Sequence, residues 1–345
     1  MRRENPALAF STTRSDSTHP PTASQTMATK GVHMRVAHGE GRCSVSYSPD
    51  GKQLITSGAD TLVKVFASDD FNAEPRNIEH HEEAVTTLAI NAKGKFFATG
   101  TKDHMVSYFS YPAAEFQKLL VRLTVPIRQV SFDKTGRFLA VASDDAVIRM
   151  VNVGVAQYTS LRGHTDSILC VVFDPQGDFL ASSSADGTVR IWDIRDEPEC
   201  IKTLQVTGKV PQGDEGHPRA AQLLRIAWHP TGQSLAVPYP EGVHVLERGT
   251  WEAQTRLQGS HTKEVTMASW SPNGRYLCSA GLDKQLFLWD LSSAAQRRVS
   301  RRPLWAACAG GLCVGGLPGE GARCGRPVWA ACVSALSRGP SGRPV

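Results

Sequence analysis

Six glycines, Gly51, Gly94, Gly136, Gly177, Gly232 and Gly274, recur at separations of 43, 42, 41, 55 and 42 residues. A period in that range restricts the chain to an array of similar small units, each unable to bury its own faces alone. Every one of these glycines closes a turn. The turns open three positions earlier, at Ser48, Asn91, Asp133, Asp174, His229 and Ser271. Short polar residues start such turns, and glycine supplies the left-handed backbone that ends them. Other residue types keep the same register. A large apolar residue stands four before each glycine: Tyr47, Ile90, Phe132, Phe173, Trp228, Trp270. Another stands three after it: Leu54, Phe97, Leu139, Leu180, Leu235, Leu277. An acid follows at nine: Asp60, Asp103, Asp145, Asp186, Glu241, Asp283. At fifteen come Phe66, Phe109, Val151, Trp192 and Trp289, with the fifth unit slipping by one. Four units also place a histidine thirteen before the glycine: His38, His81, His164 and His261.

Within a unit the pattern is that of short strands between turns. In the fourth, Ser167–Phe173, Phe179–Ser183, Thr188–Asp193 and Ile201–Gln205 are four such runs. Four strands per unit, with Gly163-His164 near the start and Trp192-Asp193 at the end, resemble the WD40 blade. Trp289-Asp290 repeats the ending, with Ser260 in place of the glycine before His261. The expected fold is all-β: a WD40 β-propeller with six recognisable blades of an expected seven. The resemblance implies that His164, Ser182, Asp186 and Trp192 form a hydrogen-bonded relay, and that His261, Ser279, Asp283 and Trp289 form a second. The same trio of types could be read as a catalytic triad. Its recurrence in several units favours a fold-stabilising network, because a nucleophile site occurs once. Adjacent Asp144 and Asp145 point apart in a strand or turn, so they do not make a carboxylate pair.

Finer details narrow the resemblance. An insertion lies near Asp196–Gln222, where the glycine spacing stretches to 55. The fifth unit is aberrant, reading Arg225-Ile226-Ala227-Trp228-His229-Pro230, then Leu235-Ala236-Val237-Pro238, Val243-His244-Val245 and Thr250-Trp251. The third reads Val130-Ser131-Phe132-Asp133, and the fourth opens Leu161-Arg162-Gly163-His164-Thr165-Asp166-Ser167-Ile168-Leu169. Together these resemble the N-terminal propeller of the WD-repeat and HMG-box DNA-binding protein family, also called acidic nucleoplasmic DNA-binding protein. The likeness runs from about Met27 to Leu291. It implies a nuclear replisome adaptor, in the nucleoplasm, acting in replication initiation, cohesion, repair and the mitotic cell cycle. Its expected partners are the polymerase-α–primase complex and the replicative helicase, with chromatin beside them. The family's later modules, a second propeller, a helical trimerisation region and an HMG box, are not in this sequence, so the reading is of a truncated form.

Charge gives a tempting but misplaced hint. The net charge is +5, with an isoelectric point near 8.8. Ser292–Val345 alone holds eight arginines and one acid, +7, which leaves 5 − 7 = −2 for residues 1–291. The basic excess belongs to the tail, and no aromatic-interleaved basic stripe marks nucleic-acid stacking. No sequence-specific DNA binding is expected. Eight cysteines without a CxxC pair suit a reducing compartment. No run approaches a membrane span. Walker, dinucleotide, GxSxG and HExxH signatures are absent. His80-His81-Glu82-Glu83 and the tail pair Cys308 and Cys313 lack metal-ligand settings. No catalytic residue, metal or cofactor is expected.

The expected domains are an N-terminal extension over 1–30, the propeller over 31–291, and a tail over 292–345. The extension is Ser/Thr/Pro-rich, and Met27 reads as a native start. Val32, Met34 and Val36 alternate as one outer strand would. The tail holds nine Gly, five Pro and nine Ala, a composition that predicts disorder. It also repeats itself: Arg302-Pro303-Leu304-Trp305-Ala306-Ala307-Cys308 returns 24 residues later as Arg326-Pro327-Val328-Trp329-Ala330-Ala331-Cys332. Such duplication reads as translated noncoding sequence rather than an interaction tail. With three strands of a seventh blade missing, the ring is expected to be open, with the apolar faces beside blades one and six exposed. What remains for function is the loop surface at one end of the propeller. Its candidate partner-binding residues are Glu83, Lys102, Asp144, Asp166 and Lys263. The first reading is a non-enzymatic scaffold of the replication fork. The alternative is another WD40 adaptor, such as a ubiquitin-ligase substrate receptor.

Overall fold

Twenty-four strands in six four-stranded sheets make up the described part of the chain. A computed structural model describes residues 37–38, 43–70, 73–206, 224–292 and 297–303, all within one unit, Val32–Val345. Blade 1 comprises β1 (Ser44–Tyr47), β2 (Gln53–Ser57), β3 (Val63–Ala67) and β4 (Arg76–Ile78). Blade 2 comprises β5 (Val85–Ile90), β6 (Phe96–Thr101), β7 (Met105–Ser110) and β8 (Phe116–Arg122). Blade 3 has β9 (Ile127–Phe132), β10 (Phe138–Ser143), β11 (Val147–Asn152) and β12 (Gln157–Arg162). Blade 4 has β13 (Ile168–Phe173), β14 (Phe179–Ser184), β15 (Thr188–Asp193) and β16 (Glu199–Gln205). Blade 5 follows with β17 (Ala227–Trp228), β18 (Ser234–Tyr239), β19 (Gly242–Glu247) and β20 (Ala253–Gln258). Blade 6 closes the series with β21 (Val265–Trp270), β22 (Tyr276–Gly281), β23 (Gln285–Asp290) and β24 (Arg297–Pro303). Each sheet is an antiparallel meander in chain order, and the six form a β-propeller. No helix among the described residues is long and apolar enough to cross a membrane.

The strand sequences follow from position in the blade. The first strand β13 reads ILCVVF and is buried almost throughout, because sheets lie over both its faces. The outermost strand β16, ECIKTLQ, alternates exposed and half-buried residues, as a strand covered on one side must. Blades pack face to face. Leu180 and Trp192 pair across β14 and β15 and lie in one cluster with Ala140, Ala142 and Ile148 of blade 3. Leu277 and Phe287 meet Val243 and Val245 of blade 5 in the same way. First strands touch in sequence, β1 on β5, β5 on β9, β9 on β13, β13 on β17 and β17 on β21.

The recurring glycines also have a packing role between blades. Gly94 lies on Pro49, Gly136 on Asn91, Gly177 on Lys134, Gly232 on Asp174 and Gln176, and Gly274 on His229. Each turn therefore nests on the turn of the preceding blade. A Cβ at Gly232 would stand 2.6 Å from Asp174 Oδ1, and one at Gly274 would stand 2.2 Å from His229 Nε2. Only Gly51, the first of the series, meets no described residue there.

Blade 5 departs for a reason visible in its residues. Ala227 pairs with Ala236 and Trp228 with Leu235, a register that sets Arg225 opposite Pro238. Proline has no N–H to offer the ladder. The Arg225 backbone turns to blade 6 instead: its N–H donates to the Thr266 carbonyl at 2.9 Å, and the Ala268 N–H donates to its carbonyl at 3.0 Å. Blades 4 and 5 are also clamped by Arg248. Its guanidinium reaches Asp174 at 2.6 Å and Asp178 at 2.5 Å, and lies 4.6 Å from the Phe179 ring centre.

The fourth blade's runs hold to within one or two residues at each end. The region read as an insertion contains β16, while residues 207–223 lie outside the described residues. The sixth sheet draws its fourth strand from Arg297–Pro303, past Leu291. Residues 1–36 and 304–345, including Val32, Met34 and Val36, lie outside the described residues. The faces beside the gap are not exposed, which corrects the sequence expectation. Leu54 and Phe66 on blade 1, and Met267, Cys278, Ala280 and Leu286 on blade 6, are buried.

Gly232→Ala is expected to cost at least about 2 kcal/mol, combining left-handed strain at φ +75° with the Asp174 clash. Gly51→Ala carries the strain alone, at φ +68° with open space, and is expected to cost about 1 kcal/mol. Urea unfolding of the two variants checks the difference. Equal losses would remove the inter-turn packing role.

Candidate functional site

The repeated polar residues meet inside the blades. In blade 4, the His164 Nδ1–H donates to Asp186 Oδ2 at 2.8 Å, and His164 Nε2 accepts from the Ser182 hydroxyl at 2.8 Å. The Trp192 indole N–H donates to the same hydroxyl oxygen at 2.9 Å. Asp186 also accepts from the Thr165 and Thr188 backbone N–H groups and the Thr188 hydroxyl. Burial pushes the Asp186 carboxyl upward, but the hydrogen bonds from His164 and Thr188 outweigh it and hold the group well below the usual carboxylate range. Blade 6 repeats the arrangement. His261 Nδ1 lies 3.1 Å from Asp283, His261 Nε2 lies 2.9 Å from Ser279 Oγ, and the Trp289 N–H donates to Ser279 at 2.9 Å.

A third relay occupies blade 1, among residues that the sequence reading did not single out as a site. His38 Nδ1 is 2.7 Å from Asp60, and His38 Nε2 is 2.7 Å from Thr56 Oγ1, with Lys64 against Asp60 at 3.4 Å. Phe66 stands where Trp192 does, so Thr56 receives no indole bond. A spacing would have found it: a hydroxyl falls 18 residues after each relay histidine, at Thr56, Thr99, Ser182 and Ser279. Blade 2 is a partial version. His81 meets Thr99 at 3.0 Å, but Asp103 Oδ1 is buried without a hydrogen-bond partner among the described residues. Blade 3 solves the problem differently. Leu123 replaces the histidine, and Arg149 holds Asp145 at 3.0 Å with Ser143 beside it.

The triad-like geometry has no exit. Ser182 and Ser279 are 0 % exposed, and each hydroxyl oxygen already holds an indole N–H. A nucleophile needs a path to its substrate and a free lone pair, and neither hydroxyl has both. No cluster of His, Cys, Asp or Glu among the described residues could hold a metal ion. Of His80-His81-Glu82-Glu83, His81 is in the blade and His80 stacks on Phe116 at 4.3 Å. Cys308 and Cys313 lie outside the described residues.

The five loop candidates fall on one rim. In a four-stranded meander the second-to-third turn and the link to the next blade share one end of the sheet. Backbone bonds join the two sets: Lys102 N–H to the Ala84 carbonyl at 2.9 Å, and Asp144 N–H to the Pro126 carbonyl at 3.3 Å. Glu83, Lys102 and Lys263 are exposed there and make no ion pair among the described residues. Asp144 and Asp166 are already engaged. Asp144 is clamped by Arg128, through Nη2 to Oδ2 at 2.9 Å and a second bond from Nε. Asp166 accepts the Ser167 N–H at 2.6 Å. Asp144 and Asp145 point to different arginines. The structure thus brings these residues onto one surface, but not into one cluster.

Two expectations follow from the relays. Ser182→Ala strands both His164 and the Trp192 N–H and is expected to cost about 2–4 kcal/mol in urea unfolding. The buried histidines add a pH dependence. Burial, with His80 nearby, pushes His81 down to about 4 against the opposing pull of Asp103. Burial likewise lowers His38 and His261, against Asp60 and Asp283 respectively. These side chains stay neutral in the fold, while the unfolded chain takes up protons near pH 6.5. Stability therefore falls as pH drops from about 6.5 to about 4, by up to about 3 kcal/mol for His81 alone. Urea midpoints at pH 7.5, 5.5 and 4.5 check this, and His81→Gln should flatten the decline.

Comparison with known proteins agrees with this architecture. A family model described as "WDHD1 first WD40 domain" matches residues 35–303. WD repeat and HMG-box DNA-binding protein 1 of Mus musculus is 30 % identical over 279 residues, 80 % of this chain and 24 % of that protein. The Xenopus laevis protein of the same name is 30 % identical over 281 residues. Minichromosome loss protein 1 of Schizosaccharomyces pombe is 30 % identical over 264 residues, 75 % of this chain and 31 % of that protein. The chain thus spans about a quarter to a third of the length of these relatives. With a blade series that runs to Pro303 and a family match that ends at the same residue, the chain belongs to the WD repeat and HMG-box DNA-binding protein family, within its first WD40 domain.

Proposed function

We propose that this chain is a non-enzymatic protein-interaction scaffold of the DNA replication fork and its chromatin, acting in the nucleus. The observation that supports this reading most directly is the contrast between the blade interiors and the rim. Every triad-like set is closed inside a blade, whereas Glu83, Lys102 and Lys263 stand exposed on one loop surface. Recognition on a propeller is carried by such loops and not by the scaffold beneath them. Family membership directs the reading to replication. The relatives are named for an HMG box, for DNA binding and for minichromosome loss. On this reading the rim contacts protein partners, with polymerase-α–primase and the replicative helicase as the first candidates. The mixed signs of its charges suit protein contacts better than tracking a phosphate backbone.

Affinity purification of the tagged chain from nuclear extract tests the proposal. Helicase or polymerase-α–primase subunits should be recovered. A combined Glu83→Lys, Lys102→Glu and Lys263→Glu variant should lose at least fivefold of that recovery at unchanged melting temperature. Recovery of cullin adaptors in their place would assign the propeller to ubiquitin-ligase substrate reception and overturn the replication reading.

A further inference from the structure

The outermost strand of each blade has one edge paired and one edge facing away from its sheet. A long, regular free edge is a template for another strand, and proteins blunt such edges by shortening, bulging or charging them. Among the described residues, five of the six outer strands are blunted in this way. β4 has only three residues. β8, β16, β20 and β24 each break register against the third strand of their blade. Charges also interrupt β8 at Lys118, β16 at Lys202 and β20 at Arg256. β12 is different. It pairs with β11 through six consecutive partners, from Val147 with Arg162 to Asn152 with Gln157, without a shift. Gln157-Tyr158-Thr159-Ser160-Leu161 holds no charge and no proline, and the single charge of the strand, Arg162, stands at its end. Gln157 to Ser160 are exposed in unbroken succession, with Tyr158 49 % exposed. The direction of the free backbone groups follows from the loop before the strand. In blade 2 the Ser110 N–H donates to the Glu115 carbonyl at 2.9 Å, and the Ala114 N–H donates to the Ser110 carbonyl at 3.0 Å. Blade 3 has a loop of the same length, with the Ala156 N–H on the Asn152 carbonyl at 2.8 Å and Asn152 paired with Gln157. Gln157, Thr159 and Leu161 therefore turn their backbone groups to β11, and Tyr158, Ser160 and Arg162 turn theirs outward.

We propose that this edge receives β12 of a second copy of the chain, antiparallel and centred on Ser160, so that two blade 3 sheets become one sheet of eight strands. A two-fold axis at Ser160 sets Tyr158 of each copy opposite Arg162 of the other, and all three outward residues exchange backbone bonds. The edge is self-complementary in charge as well as in backbone. Each Arg162 meets an aromatic ring instead of a like charge. The two arginines stand four residues apart along the strands, about 14 Å, beyond the ~10 Å screening length at 0.1 M salt. The neighbouring cations are already engaged. Arg149, 5.9 Å from the Tyr158 ring centre, holds Asp145 at 3.0 Å, and Lys118 donates to the Gly154 carbonyl at 3.1 Å. A strand that fits here must be unbulged, uncharged at its centre and free of proline, and β12 is itself such a strand. The edge lies on the outer wall of blade 3 and is distinct from the loop rim.

Sedimentation equilibrium of the full chain tests the pairing. The mass should rise from 37.4 kDa toward twice that value as the concentration is raised to about 100 µM. Ser160→Lys and Ser160→Glu each set like charges directly opposite across the two-fold axis, and each should weaken association at least about fivefold at unchanged melting temperature. An equimolar mixture of the two variants should restore it, as only a pairing centred on this residue requires. A chain that stays monomeric overturns the proposal, as do variants that associate like the parent or a mixture that does not recover. Where a variant fails to fold, amide hydrogen exchange on the unaltered chain decides. Protection over Gln157–Arg162 should grow with concentration. Protection that does not grow overturns the pairing, and protection already complete in dilute solution overturns it by assigning the edge to the chain's own residues.

Discussion

Leu180 and Trp192 on one sheet press against Ala140, Ala142 and Ile148 on the next, and the same contact, with different residues, recurs along the series. Each four-stranded sheet has two apolar faces and can bury neither alone. That single requirement explains why an inner strand such as β13 is buried almost throughout while an outer strand such as β16 alternates. It also explains why one glycine per unit is placed where a neighbour's turn must fit. Burying a side chain of this size contributes roughly 1.5–3 kcal/mol. A blade boundary with several such residues therefore outweighs any single polar contact in the molecule. Stability in such an array is close to a sum of units and nearest-neighbour interfaces. The Arg248 clamp and the Arg225 bridge act at two of these interfaces, between blades 4 and 5 and between blades 5 and 6.

The polar relays serve a different need. A turn, a loop and a strand within one blade leave polar groups facing inward, and burial is costly unless each finds a partner. His164, Asp186, Ser182 and Trp192 satisfy one another in a chain that runs from the loop to the third strand. The blades differ in how much of this chain they keep. Blade 1 keeps three members and replaces the indole with Phe66. Blade 2 leaves an oxygen of Asp103 without a hydrogen-bond partner among the described residues, and His81 is among the groups most strongly pushed from its ordinary value by burial. Blade 3 drops the histidine and recruits an arginine from its own third strand.

Much of this was legible in the sequence, and the reason is periodicity. Fold class, blade count, strand order and the relays of blades 4 and 6 all depend on residues at fixed offsets from one glycine. What escaped depends on contacts between positions with no fixed offset. Arg248 lies 74 residues from Asp174 and 70 from Asp178, so its clamp exists only because two turns meet in space. Arg149 substitutes for a histidine from a different strand, and no spacing announces it. The β24 strand escaped because its run of arginines does not resemble a blade edge, although an outer strand paired on one side tolerates charge well. The loop candidates fared unevenly for the same reason. The sequence shows that Asp144 and Asp166 are charged and near a turn. It does not show that Arg128 and the Ser167 backbone already hold them.

The residues with the look of chemistry and the residues available for recognition turn out to be different sets, and the fold separates them. A His–Asp–Ser geometry arises in blade 4 because a buried histidine with two ring nitrogens needs an acceptor on one side and a hydroxyl on the other. That is the same local demand that a hydrolase site meets, without its opening to solvent. A solvated rim charge carries no comparable constraint, so evolution can change it without disturbing the blade beneath. This division lets one architecture keep its interior nearly constant while its loop surface is free to diverge. The series has one boundary of a different kind: among the described residues, the buried faces of blades 1 and 6 form two separate apolar clusters rather than one shared cluster.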